Sequence, residues 1–137
     1  MKAVRGYIFS RPFVGERAPQ HVQNLVIRNY CERHDLRYLL SATEYAMPGC
    51  YLALDQILNE LPQLDGVVMY SLFQLPEDAD VRSRIMTSTL EQDKTLHFAV
   101  EGIKVASIIE LEQVNTIWGV KSALERCAQS EDIASSI

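Results

Sequence analysis

Asp65-Gly66-Val67-Val68-Met69-Tyr70 is the stretch on which the fold turns. Asp-Gly is a turn signal, and the short apolar run behind it is the most strand-like in the chain. Read backwards from there, Tyr51, Leu54, Leu58 and Leu61 recur at helical spacing until Pro62 ends the pattern. Before them, Arg37-Tyr38-Leu39-Leu40-Ser41 reads as a strand, with a loop from Ala42 to Gly49. Val22, Leu25, Val26 and Tyr30 mark an earlier helix, whose first turn suits Pro19 because a missing N–H costs nothing there. The chain opens with another short run, Val4-Arg5-Gly6-Tyr7-Ile8-Phe9, followed by a loop from Ser10 to about Ala18.

Read forwards, Asp78 is placed to cap a helix carrying Val81, Ile85 and Leu90. Leu96-His97-Phe98-Ala99-Val100 is a fourth strand, ending at Glu101-Gly102. Ser107 and Glu110 have capping-box spacing before a long last helix with Leu111, Val114 and Trp118. The order is β-α-β-α-β-α-β-α. It predicts an α/β fold of three layers, α/β/α, around a small, mainly parallel four-stranded sheet joined by right-handed crossovers. Residues 1–128 form one domain in this reading, and 129–137 a frayed polar tail.

The 137 residues fit one domain with its own core. A net charge of −5 argues against a general binder of phosphate backbones, which needs clustered Lys and Arg. No apolar run approaches the roughly 18 residues of a membrane span, and the N-terminus lacks signal-peptide character. Cys31, Cys50 and Cys127 are far apart and make neither metal-ligand spacing nor a disulfide framework, so a reducing cytoplasm is expected. No metal site is expected from three scattered histidines. No cofactor is expected either, since no Walker loop, dinucleotide fingerprint or nucleophile elbow occurs.

Several long blocks resemble the sporadic carbohydrate cluster proteins, small bacterial proteins encoded among genes for unusual cell-surface sugars. They are Arg5 to Phe13, Pro19 to Asn24, Leu40 to Met47, Tyr70 to Pro76 and His97 to Gly102. The resemblance implies a role in surface-carbohydrate biosynthesis and no particular reaction. The element order also resembles the catalytic domain of serine recombinases, the resolvases and invertases, which implies strand order 2-1-3-4. Gly6-Tyr7 matches the first-strand motif of that family, and Glu101-Gly102 is similar to the end of its later strand. Phe9 and Arg11 stand where its motif has arginine and serine, and both arginines of its third-strand motif are missing from Leu72-Phe73-Gln74-Leu75-Pro76-Glu77. The resemblance thus extends to the scaffold and not to the DNA-cleaving apparatus.

Ligands of open α/β sheets bind beyond the carboxyl ends of the strands. That rule selects Ser10 and Arg11, the stretch from Ser41 to Tyr45, Ser71 to Gln74, and Glu101. Ser10, His21 and Glu101 are the candidate catalytic groups: a nucleophile or hydroxyl ligand, and two groups able to move a proton. Arg11 and Arg17 suit an anion, and Glu44, Tyr45, Ser71 and Gln74 complete the substrate-binding set. Glu44 and Glu101 would stand about three strand spacings apart, roughly 14 Å at ~4.8 Å each, too far for a coupled pair. The ordinary alternatives are a capping serine, a surface-paired arginine, a solvated histidine and a turn-capping glutamate. The Leu111, Val114, Trp118 stripe is either core or a dimer seam, and a homo-oligomer is expected. The function expected is binding or conversion of an anionic sugar or sugar-acid precursor. The alternatives are a non-catalytic partner of a biosynthetic enzyme and a degenerate recombinase-like DNA-binding domain, although nucleic acid suits the charge poorly.

Overall fold

The computed structural model describes the backbone of residues 1–135 and the side chains of residues 1–127. Its strands are β1 (Lys2–Phe9), β2 (Leu36–Glu44), β3 (Gly66–Met69), β4 (Thr95–Phe98) and β5 (Ile103–Val105). Its helices are α1 (Gln20–Arg33), α2 (Leu52–Glu60), α3 (Ala79–Glu91) and α4 (Ile108–Ser135), with short 3-10 turns at Leu61–Gln63 and Leu72–Gln74. One sheet holds all five strands in the order β2-β1-β3-β4-β5. The first four are parallel, and β5 runs antiparallel to β4.

The expected four-stranded sheet therefore gains a fifth, antiparallel edge strand. Its three residues, Ile103-Lys104-Val105, are too few for an alternation to declare itself. Gly102, at φ +67°, makes the turn that folds them back, so that Phe98 pairs with Ile103 and Leu96 with Val105. A second correction concerns β2, which continues to Glu44 where a loop from Ala42 was expected. The register jumps between Arg5–Leu39 and Tyr7–Ala42, so Leu40 and Ser41 together oppose Gly6. A Cβ on Gly6 would run into Ser41 Oγ and the Tyr38 ring, so the bulge needs glycine at that point.

The strands alternate between two apolar layers. Tyr7, Phe9, Val67, Met69, Leu96, Phe98 and Val105 face α2, α3 and α4. Val4, Ile8, Val68 and Ala99 face α1 alone, through Ile27, Tyr30 and Cys31. In α1 the buried stripe is Gln23, Ile27, Tyr30 and Cys31, and Leu25 of the expected apolar face is 63 % exposed. Along α4, Leu111, Val114 and Trp118 are 6 %, 0 % and 3 % exposed; they belong to the core and are not a dimer seam. Asp78 caps α3 as expected, accepting from the backbone N–H of Asp80 and Val81 at 2.9 and 3.2 Å. Glu110 closes the start of α4 through Ala106 N–H and the Ser107 hydroxyl. The helix covers most of the stretch expected as a frayed tail. The side chains of 128–137 and the backbone of 136–137, on which that expectation also falls, lie outside the described residues. Among the described residues, no helix is long and apolar enough to cross a membrane.

Candidate functional site

The carboxyl ends of β1 and β2 are tied together by Ser10 and Arg11. The Ser10 hydroxyl donates to the Glu44 carbonyl at 2.7 Å. Arg11 Nη1 donates to the carbonyls of Tyr45, Met47 and Cys50 at 2.7, 3.1 and 2.9 Å, and its guanidinium lies over the rings of Phe9 (4.3 Å) and Tyr51 (5.1 Å). Arg11 thus holds the loop between β2 and α2. Ser10 has no base within hydrogen-bond reach, so nothing draws its proton off toward nucleophilic chemistry.

Glu44 is buried, and both carboxylate oxygens are engaged. Oε1 accepts from the Tyr7 hydroxyl at 2.7 Å and from Leu54 N–H at 3.1 Å. Oε2 accepts from Tyr45 N–H at 3.1 Å and Ala53 N–H at 2.9 Å. The first turn of α2 has no capping side chain of its own, and this glutamate supplies the acceptors and the negative charge from the neighbouring strand. Both oxygens of Glu44, expected to bind substrate, are thus engaged by Tyr7 and by backbone amides. Burial, reinforced by the Glu44 carboxylate, pushes the Tyr7 hydroxyl far above its ordinary pKa, so it stays a donor.

On the other side of β1 runs a second network. Buried Gln23 accepts from Phe9 N–H and donates to the carbonyls of Phe9 and Ala18, all within 2.9 Å. Gln74 donates to Gln23 at 2.9 Å and accepts from Ser71 N–H at 3.4 Å. Ser71 donates to Glu101 at 2.8 Å, and the second Glu101 oxygen accepts from Leu72 N–H at 2.9 Å. Glu101 therefore caps the Leu72–Gln74 turn in company with Ser71. Ser71 and Gln74, expected as substrate ligands, are buried and make their hydrogen bonds within the protein. Gln23 stands near the start of α1, and its burial has no signal in the sequence because a glutamine adds nothing to the apolar period.

The three candidate catalytic groups do not meet. Ser10 bonds toward β2, Glu101 toward the β3 end, and His21 is exposed on α1 with no hydrogen bond to either. Arg17 and Tyr45 are exposed. His97 is buried between Tyr30, at 2.8 Å from Nδ1, and Thr95, at 2.9 Å from Nε2; burial lowers its pKa to about 4. Among the described residues no group of three His, Cys, Asp or Glu side chains is placed to hold a metal.

What the strand ends do form is a cleft of about 660 Å³ on the α2–α4 side of the sheet. Five aromatic residues line it: Phe9, Phe13, Tyr51, Phe73 and Trp118. Among the described residues Arg11 is the one cationic residue of the lining, and Glu77 and Asp78 stand at the start of α3. The rings are held in place by one another and by buried donors. Phe9 meets Tyr7 and Phe13 edge-on, and Phe73 meets Trp118 at 5.2 Å. Trp118 donates its indole N–H to the Leu72 carbonyl at 3.0 Å, and the Arg82 guanidinium lies 4.8 Å from its ring. Arg82 is itself buried, donating to Asn115 and to the Pro76 and Glu77 carbonyls; burial lowers its pKa. Of the catalytic and substrate-binding candidates read from the sequence, only Arg11 lines this cleft. The aromatic residues come from five separate segments, and no spacing announces their convergence.

No protein-family model matches the chain, and no curated protein does. Among solved structures it is similar to the N-terminal catalytic domain of TP901-1 integrase, at 16 % identity and a TM-score of 0.62, over 92 % of this chain and 97 % of that one. It is also similar to a resolvase family site-specific recombinase from Streptococcus pneumoniae, at 9 % identity and a TM-score of 0.63, over 97 % of both chains. The chain has a resolvase-like α/β fold. At these identities the likeness is one of fold alone.

Proposed function

We propose that this chain is a sugar-binding protein of bacterial surface-carbohydrate biosynthesis that holds its ligand in the aromatic cleft. The observation that carries the reading is the cleft itself: five aromatic residues, one guanidinium and two carboxylates around about 660 Å³. Tyr51 and Phe73, the half-buried rings of the lining, take the C–H face of a sugar ring, Glu77 accepts from hydroxyls, and Arg11 meets an anionic substituent such as a sugar acid or phosphate. The biosynthetic setting rests on the sequence blocks that resemble the sporadic carbohydrate cluster proteins. Binding is favoured over conversion, because Ser10, His21 and Glu101 share no partner and no activated nucleophile faces the cleft.

Trp118 is the single tryptophan of the chain and lines the cleft, so its fluorescence reports occupancy. Sugar acids, sugar phosphates, nucleotide sugars and their neutral counterparts are titrated against wild type and Tyr51→Leu. Saturable changes for one sugar class, weakened at least tenfold in Tyr51→Leu, are expected. No change with any sugar, in folded protein, refutes the reading. The recombinase likeness favours a second reading, a DNA-handling domain. Phe9 is buried at the position of a motif arginine, and the net charge is −5, so salt-dependent DNA binding is the result that would promote it.

A further inference from the structure

The segment between β1 and α1 borders the cleft with Pro12, Phe13 and Val14 and turns back as a two-residue hairpin. Phe13 and Glu16 exchange both backbone hydrogen bonds at 2.9 Å, and Val14 and Gly15 form the tip with φ of +47° and +74°. Positive φ at both central residues defines a type I′ turn, which selects Asn-Gly or Asp-Gly. Gly15 fits. Val14 does not: a β-branched side chain in left-handed backbone is a true outlier, and such strain persists only where surrounding contacts enforce it.

The enforcing contacts are few and lie at the cleft. Phe13 is buried against Phe9 and Tyr70, Val14 packs beside it, and both line the cavity. On the far side, Glu16 reaches Lys121 of α4 at 3.6 Å, and Lys121 lies over the Phe73 ring at 5.5 Å. Glu16 is exposed and Lys121 half-buried, and ion pairs at the surface contribute little. By contrast the base of the segment is fixed, with Ser10 and Arg11 bound to the β2 end and the Ala18 carbonyl bound to Gln23. A strained tip with a weak latch between two fixed ends is the construction of a flap.

We infer that residues 12–17 are a lid over the aromatic cleft, with Val14 as a spring that favours the open state and Phe13 and the Glu16–Lys121 pair as the closing contacts. The purpose of the lid rests on the cleft being the binding site. The motion does not, and it is measured without ligand.

The test is Val14→Asn, which creates an Asn-Gly turn and removes the strain. Relief of the left-handed strain lowers the open population by roughly 5- to 30-fold. Hydrogen exchange at the Phe13 and Glu16 amides should slow about tenfold, with exchange in β3 unchanged. Acrylamide quenching of Trp118 should fall in parallel. Glu16→Gln should shift both readouts the other way, by two- to fivefold. Wild-type exchange at Phe13 and Glu16 as slow as in β3, and equal in all variants, would make the hairpin a fixed wall and overturn the lid. A change in exchange without a change in quenching would show that the hairpin opens without covering the cleft, and would overturn it equally.

Discussion

Replacing Glu44 by glutamine alters one atom and should destabilise the protein by about 3 kcal/mol. The carboxylate accepts four hydrogen bonds, two on each oxygen. An amide has one acceptor and one donor end. Turning the NH₂ toward the Tyr45 and Ala53 amides would set it against two donors that cannot turn away. Turning it toward Tyr7 and Leu54 is better, because the Tyr7 hydroxyl can rotate and become the acceptor. Leu54 N–H then loses its partner at a buried site, which costs about 1–3 kcal/mol, and the two bonds on the remaining carbonyl lose their charge assistance at ~1 kcal/mol each or less. The first turn of α2 also loses the negative charge at its positive end. In urea the transition midpoint should fall with little change in slope, and the thermal midpoint should drop by about 10 °C for a domain of this size. Stability within 1 kcal/mol of wild type would refute the claim that Glu44 is a helix-capping carboxylate, and would return it to the list of ligand groups.

Two further outcomes follow from buried polar groups. His97 has a pKa of about 4 in the fold against an ordinary 6.5, held down by burial first and then by Lys104, His34 and Lys2. The unfolded chain therefore takes up a proton near pH 6.5 that the folded chain refuses until about pH 4. Stability from this group is complete above pH 6.5 and falls as pH drops toward 4, by up to about 3 kcal/mol. Urea titrations between pH 7 and 5 should show that slope in wild type and lose it in His97→Gln; an equal slope in both would place the effect elsewhere. Gln23→Leu leaves buried Phe9 N–H and the Gln74 amide without their acceptor and should cost about 2–4 kcal/mol. An unchanged urea midpoint would mean that water replaces the side chain without loss.

The periodic parts of the chain declare themselves in sequence: the β-α alternation, the Asp78 cap and the start of α4 at Ser107 and Glu110. Features fixed by a neighbouring strand do not. The Leu40–Ser41 bulge depends on facing Gly6, and β5 depends on β4 to pair with, so neither has a local signature. The candidate site divides the same way. The strand-end rule locates Ser10, Arg11, Glu44, Ser71, Gln74 and Glu101, but their roles follow from where the polar atoms point. Glu44 and Gln74 end in burial side by side with backbone amides, and composition cannot distinguish a glutamate facing solvent from one facing a helix terminus. The cleft-lining rings were invisible as a set because Phe13, Tyr51, Phe73 and Trp118 serve as ordinary apolar positions of their own segments.

Arg11 grips the lip of the cleft through carbonyl oxygens alone, at Tyr45, Met47 and Cys50. Every residue type offers the same carbonyl. The loop's path is therefore independent of the side chains it displays, and Tyr45 and Met47, both more than half exposed, are free to be exchanged without redrawing it. Shape and selectivity are held by different atoms of one segment. Ala46, between them, lines the cleft, and libraries randomised at 46 should vary what the cleft accepts while every member keeps the same rim.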